Sequence, residues 1–243
     1  RIGAFDFLEK PISLPKLLAT VARALQRSAK EFTPTFTLAQ MGRSAIIQDL
    51  KKRLEQIAHR RLPLLLVGEK GAGTELCARF LHQANTPWVA PEDSQWLVDN
   101  PFAPLAEARD GILFLADVAE LARAEQRGLA QLVGKLDKHN VRLVCASSRP
   151  PGNLIAQGKF DAELLSRIST LTVSVPALRE HSEDIPELAT LMLRQLVESK
   201  EVSARHLETA ALNALRGFDW PGNLLSLQSA VKTLALTASR EEI

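Results

Sequence analysis

The sequence predicts an α/β domain, a mostly parallel sheet sandwiched by helices, followed by a small helical subdomain. Three observations carry this. Short apolar runs at Leu64–Val67, Ile112–Leu115, Arg142–Ala146 and Leu171–Val175 alternate with segments of helical period. That is the pattern of parallel strands buried on both faces. Gly68, Gly71 and Gly73 make a flexible turn between the first run and the helix that follows it. From Ser182 onward the apolar spacing is helical throughout, broken at "DWPGN".

The elements follow in order. Leu14, Leu17, Leu18, Val21 and Leu25 fall at helical spacing, which predicts an amphipathic helix over Leu14–Gln26. "SAKEFTPTFT" places Pro34 among Ser and Thr and reads as a linker. Ile46, Ile47, Leu50, Leu54 and Ile57 predict a second helix over Ser44–His59, with Ser44 as its N-cap. Further helices are expected over Leu76–His82 and Gln126–Leu136. The stretch Thr86–Arg109 is Pro-rich and poorly periodic, and reads as mainly loop.

Bulk properties exclude little. With 243 residues the chain can hold one α/β core and a smaller appendage. A net charge of +2 shows no overall basic footprint. The two cysteines, Cys77 and Cys145, lack metal-ligand spacing and fit a reducing, cytoplasmic compartment. No metal site is expected. No apolar run reaches the length of a membrane span, and no membrane partner is implied. "RIGAFDFLEKP" starts as if within a domain, so the chain reads as a piece of a longer protein.

Chemistry centres on "VGEKGAGTE", Val67–Glu75. A phosphate-binding loop needs glycines so that backbone N–H groups converge on oxygen. It also needs a helix N-terminus, a Lys for the β and γ phosphates, and a hydroxyl for Mg²⁺. Gly68 and Gly73 match the outer glycines, with Glu69, Lys70, Gly71 and Ala72 between them. Thr74 stands where the Lys belongs, and Glu75 where the hydroxyl belongs. Lys70 is either a partial substitute or a solvated loop cation. The glycines alone are equally satisfied by a tight turn with no ligand. At the end of the second apolar run, Ala116–Asp117 stands in place of an acidic pair, leaving one carboxylate. Removing a preorganised charge-stabilising group costs about 3–4 kcal/mol of transition-state stabilisation, so two such losses make hydrolysis negligible.

Taken in order, these motifs resemble the NtrC-type response regulators that activate sigma-54 RNA polymerase, particularly their NtrX-like branch. The resemblance covers essentially the whole chain. "GAFDFLEKPI" is similar to the end of a receiver domain, and "MGRSAIIQDLKKRLEQIA" to the first helix of the family's AAA+ domain. "VGEKGAGTELCARFLHQAN" matches its loop and helix, and "DGILFLADVAEL" its G-T-L-F-L-D-E-I strand. "LVCASSRPPGNLIAQGKFDAELLSRI" matches the sensor strand and arginine-finger helix. "VPALREHSEDIPELA" and "LNALRGFDWPGNLLSLQSAV" match the junction and lid signatures.

The resemblance implies a receiver end over residues 1–28, a linker over 29–40, an AAA+ α/β subdomain over 41–178 and a helical lid over 179–243. It implies that Lys10 contacts the receiver phosphoryl group and that Arg167 keeps the second arginine-finger position. Pairing of Arg167 with a neighbouring acid is the plainer alternative. The departures are extensive. Ser147-Ser148 replace the sensor Thr-Asn, Asp161 replaces the first finger and Leu225 the lid Arg. Trp88–Arg109 holds nothing like the G-A-F-T-G-A loop that contacts sigma-54. The reading that follows is a transcription regulator whose central domain is a degenerate ATPase serving as an oligomerisation or coupling module. Its expected partners are a second copy, a cognate sensor kinase and, through a helix-turn-helix beyond the chain, DNA. No cofactor is expected, with ATP and Mg²⁺ entering only if the loop still binds. Two alternatives stay open, a working ATPase and a nucleotide-binding switch without hydrolysis. Arg179, Glu180, Glu183 and Asp184 read as a solvated or salt-bridged hinge. In "WPGN", Trp220 is expected to pack and Asn223 to cap a helix.

Overall fold

The computed structural model describes residues 36–203 and 205–237. Lys10, the receiver end and the first predicted helix lie outside the described residues. From Thr37 onward the chain forms one compact unit. Its centre is a five-stranded, fully parallel sheet: β1 Leu64–Val67, β2 Trp88–Val89, β3 Ile112–Leu115, β4 Arg142–Ser147 and β5 Leu171–Ser174, in the order β2-β3-β4-β1-β5. Every residue of β3 and β4 is buried, as expected of inner strands covered on both faces. Leu65, Leu113, Leu115, Leu143 and Cys145 pack with Leu129, Leu132, Leu164 and Ile168 from the helices that cover one face. Both thiols are buried, and burial pushes the Cys77 thiol up to about 12, so it is inert as a nucleophile.

The helices are α1 Ala45–Ile57, α2 Thr74–Phe80, α3 Trp96–Asp99, α4 Ala103–Glu107, α5 Arg123–Val133, α6 Leu136–His139, α7 Pro151–Ala156 and α8 Ala162–Ile168. The lid holds α9 Ile185–Glu198, α10 Thr209–Arg216 and α11 Asn223–Thr237. The stretch expected to be mainly loop contains the edge strand β2 and the short helices α3 and α4. The misreading has a physical cause: a two-residue strand and one-turn helices are too short to show a period. Leu97 and Leu105 anchor them to the core. The helix predicted over Gln126–Leu136 is two pieces, α5 and α6, and the lid pattern is also interrupted between α9 and α10.

Two capping arrangements differ from the sequence expectation. Ser44 does stand at the N-cap of α1, but its side chain makes no capping bond. Asp184, from the far side of the sequence, accepts from Arg43 N at 2.8 Å and Ser44 N at 3.0 Å instead. At the other end of α1, Arg142 from β4 donates to Ala58 O at 2.8 Å and Ile57 O at 2.9 Å. A cation there satisfies orphan carbonyls and complements the helix dipole. Burial lowers the Arg142 pKa to about 10, which keeps it charged at neutral pH. Arg142→Leu is expected to lower unfolding free energy by about 2–3 kcal/mol, since two charge-assisted bonds are lost from a buried site. Urea unfolding monitored by circular dichroism checks this.

Candidate functional site

The loop between β1 and α2 sits at the carboxyl end of the sheet, beneath the lid. Gly68 N donates to Ser147 O at 3.1 Å, and Ala72 N to Glu69 O at 3.0 Å, closing a tight turn. Gly71 has φ +78°, a conformation that side chains resist. A Cβ there would also strike the carbonyl oxygen of Gly222 in the lid. Thus Gly71 is required for close approach of lid and loop. Among the described residues, the N–H groups of Lys70, Gly71, Gly73 and Thr74 make no hydrogen bond.

Glu69, Lys70 and Glu75 each have a partner within the protein. Glu69 receives Arg179 in a fork, at 2.9 Å from Nη1 and 2.5 Å from Nη2, and Asn223 Nδ2 at 3.2 Å. Glu75 turns onto its own helix and pairs with Arg79 at 2.8 Å. Arg79 in turn lies over the ring of Trp88, 4.4 Å from its centroid. Lys70 Nζ is 4.0 Å from Asp117 Oδ2, at the limit of an ion pair. Asp117 Oδ1 is held by Ala119 N at 3.1 Å and Ser148 N at 3.0 Å, so this carboxylate caps the turn after β3. Lys70 and Asp117 are thereby brought together with the loop.

Other sequence candidates are not. Arg167 pairs with no acid among the described residues; its Nη1 reaches Ala130 O at 3.4 Å. It borders a cleft of about 540 Å³ on the α5–α8 side, together with Arg123, Arg127 and Lys159. Asp161 caps α8 through Leu164 N at 2.7 Å. Ser147 Oγ donates to Arg149 O at 2.7 Å, and Leu225 is 63% exposed. Among the described residues, no group of His, Cys, Asp and Glu is arranged to hold a metal ion.

The residue that sequence reasoning misplaced is Asn223. It does not cap its own helix. It is fully buried at φ +54°, accepts from Leu178 N at 2.8 Å, and donates to Lys70 O at 3.0 Å and to Glu69. The next residue adds Leu224 N to Gly71 O at 3.0 Å. Arg179 likewise leaves its predicted hinge cluster to reach Glu69. The signal was present in one respect, since Asn tolerates the left-handed conformation that this turn demands.

The electrostatics of Glu69 follow from this network. The Arg179 hydrogen bonds, and then that of Asn223, pull its carboxyl from the ordinary 4.5 down to about 2. Its contribution is therefore complete above pH 4.5 and is lost progressively as pH falls from 4.5 through about 2. A carboxyl-carbon NMR titration is expected to find Glu69 ionised at about pH 3.5, with Arg179→Gln returning its midpoint toward 4.5.

Comparison with known proteins decides the family. The model of the sigma-54 interaction domain matches residues 41–178, and that of the AAA+ ATPase lid domain matches 179–243. The chain belongs to the sigma-54 interaction domain family. The nitrogen assimilation regulatory protein NtrX of Azorhizobium caulinodans is 28% identical over 97% of this chain and 60% of its own length. The DNA-binding transcriptional regulator NtrC of Azospirillum brasilense is 29% identical over 99% of this chain and 58% of its own length. The crystal structure of NtrX from Brucella abortus in complex with ATP aligns with TM-score 0.75 and 28% identity, covering 96% of this chain and 59% of that one. The resemblance to the NtrC and NtrX regulators is thus borne out, as is the α/β fold with a helical lid. This member spans about 60% of the length of the NtrX relative. No described helix is long and apolar enough to cross a membrane.

Proposed function

We propose that this sigma-54 interaction domain is a pseudo-ATPase, an oligomerisation or coupling module inside a cytoplasmic two-component transcription regulator. The observation that carries this reading is the engagement of Asp117, the one carboxylate left at the end of β3. One oxygen caps a turn and ties down Ser148 N, and the other faces Lys70. A carboxylate so held is poorly placed to orient an attacking water. The residues present do not fit a magnesium–triphosphate: Thr74 supplies no charge, Ala116 no metal ligand, and Glu75 is turned onto Arg79. The absence of a G-A-F-T-G-A sequence from Trp88–Arg109 supports a role other than remodelling sigma-54 polymerase. Within the whole regulator, residues 1–28 would complete a receiver in which Lys10 meets the phosphoryl group. A sensor kinase would address that receiver, and a helix-turn-helix beyond residue 243 would hold DNA.

A second reading, a nucleotide-binding switch without hydrolysis, draws on one observation. The loop still presents the N–H groups of Lys70, Gly71, Gly73 and Thr74, and a glycine turn at a helix start is a natural anion cradle. Calorimetric titration with ATP and ADP, with and without Mg²⁺, separates the two when combined with a phosphate-release assay. No heat and no turnover are expected for the scaffold. Binding without turnover supports the switch. Magnesium-dependent turnover that is lost in Asp117→Asn would overturn both.

A further inference from the structure

The lid meets the loop through a set of bonds that belong entirely to the protein. Glu69 takes the Arg179 fork from the junction and Asn223 Nδ2 from the lid turn. Lys70 O takes the second Asn223 proton, and Gly71 O takes Leu224 N. Asn223 Oδ1 returns to Leu178 N beside Arg179, so junction, lid and loop share one side chain. Each partner is separated from its mate by many residues in sequence, and each bond to the loop is made to a carbonyl or a carboxylate. None uses a loop N–H. Gly71 makes the approach close enough, since a Cβ on it would strike Gly222 O. Nearby, Leu225 faces outward and contributes no polar contact to this network.

We propose that Glu69, Arg179 and Asn223 form a latch that fixes the lid on the α/β core without any nucleotide. A lid Arg would make lid position answer to a bound phosphate. In this chain the position of the lid is set by Glu69 and the two loop carbonyls instead. The latch needs a glycine at position 71, where a Cβ would strike the lid backbone. The latch leans on the pseudo-ATPase reading only for its indifference to nucleotide; its bonds stand on geometry alone.

The test is hydrogen–deuterium exchange on the chain, free and with ATP and Mg²⁺, for wild type, Glu69→Gln, Arg179→Gln and the swap Glu69→Arg/Arg179→Glu. In wild type, exchange of the Leu224 amide and α11 is expected to stay within about twofold when ATP and Mg²⁺ are added. Each single variant is expected to speed it by roughly tenfold while β3 and β4 keep their protection, and the swap to recover much of the loss. Unchanged lid exchange in both single variants overturns the latch. So does lid protection that arises only with ATP and Mg²⁺, or a loss of protection in β3 and β4 alongside the lid. Phosphate release from the same samples keeps the two ideas apart. Turnover with lid exchange that ignores nucleotide would sink the pseudo-ATPase reading and leave the latch standing.

Discussion

Restoring the loop Lys alone, Thr74→Lys, is expected to leave ATP hydrolysis undetectable, and so is restoring the acidic pair alone, Ala116→Asp/Asp117→Glu. Only the combination should raise it. Phosphoryl transfer depends on positioning and on charge stabilisation, with little covalent chemistry for the protein to perform. Loss of one preorganised group costs roughly 10²–10³ in rate, and groups that act as a unit are strongly non-additive. In the Thr74→Lys variant, the new ammonium would meet a loop whose remaining carboxylate is capping Ala119 and Ser148. A lone acidic pair would hold a metal with no cation opposite it. With all three substitutions, a gain of about 10²-fold or more over the parent is expected, well short of a working enzyme. Ser147-Ser148, Asp161 and Leu225, at the positions where the resemblance implies a sensor pair, a first finger and a lid Arg, are unchanged in this variant. Steady-state phosphate release with and without Mg²⁺ measures this. Turnover in the unmodified chain, or full recovery from Thr74→Lys alone, would refute the argument.

The parts legible in sequence were those with a strong local signal. Leu64–Val67 and Ile112–Leu115 are continuous apolar runs, and their strand boundaries follow directly. Gly71 announces an unusual backbone, because a side chain at φ +78° beside another carbonyl has nowhere to go. What sequence did not reveal is long-range pairing of polar groups. Arg179 and Glu69 are 110 positions apart, and Asp184 and Ser44 are 140 apart. No period connects such pairs, so in sequence Arg179 and Asp184 read as a hinge charge cluster, Glu69 as a loop residue and Ser44 as an N-cap. Asp161, which the resemblance places at the first finger position, is also a good local helix N-cap. At the candidate site, sequence gives the identity of the residues in the loop and at the end of β3. The engagements of Glu69, Glu75, Asp117 and Asn223 depend on side-chain direction, which composition does not encode.

The same long-range wiring makes Asp184 the residue whose loss should harm folding most. Asp184→Ala is expected to lower unfolding free energy by about 3 kcal/mol, a melting-point drop of roughly 6–12 °C for a chain of this size. The carboxylate is 5% exposed and holds the start of α1 through Arg43 N and Ser44 N. Gly42, at φ +128°, leaves room for it, since a Cβ there would collide with Asp184. His181, 2% exposed, contacts Asp184 Oδ2 through Nδ1 at 3.2 Å, and its Nε2 has no partner among the described residues. The neutral ring therefore suits the site, because protonation would create a buried N–H with no acceptor. Burial lowers the His181 pKa below 6.5, although Asp184, Glu180 and Glu183 pull the other way. For a lowered His the unfolded chain binds the proton first. Stability is then full above pH 6.5 and declines as pH falls from 6.5 toward the folded value. Burial raises the Asp184 carboxyl, but the hydrogen bonds from Ser44, Arg43 and His181 outweigh it and leave the pKa below 3.8, so its own loss comes at far lower pH. Lys51, on Gly42 O at 2.8 Å, is lowered by burial from 10.5, and Arg43 pairs with Glu187 at 3.2 Å. Denaturant midpoints from about pH 8 to 5 should thus slope in wild type and flatten in His181→Gln. Glu183→Ala, an exposed neighbour, should stay within about 0.5 kcal/mol of wild type. An equal loss in Glu183→Ala and Asp184→Ala would show that charge in the junction, rather than the buried cap, holds α1 in place.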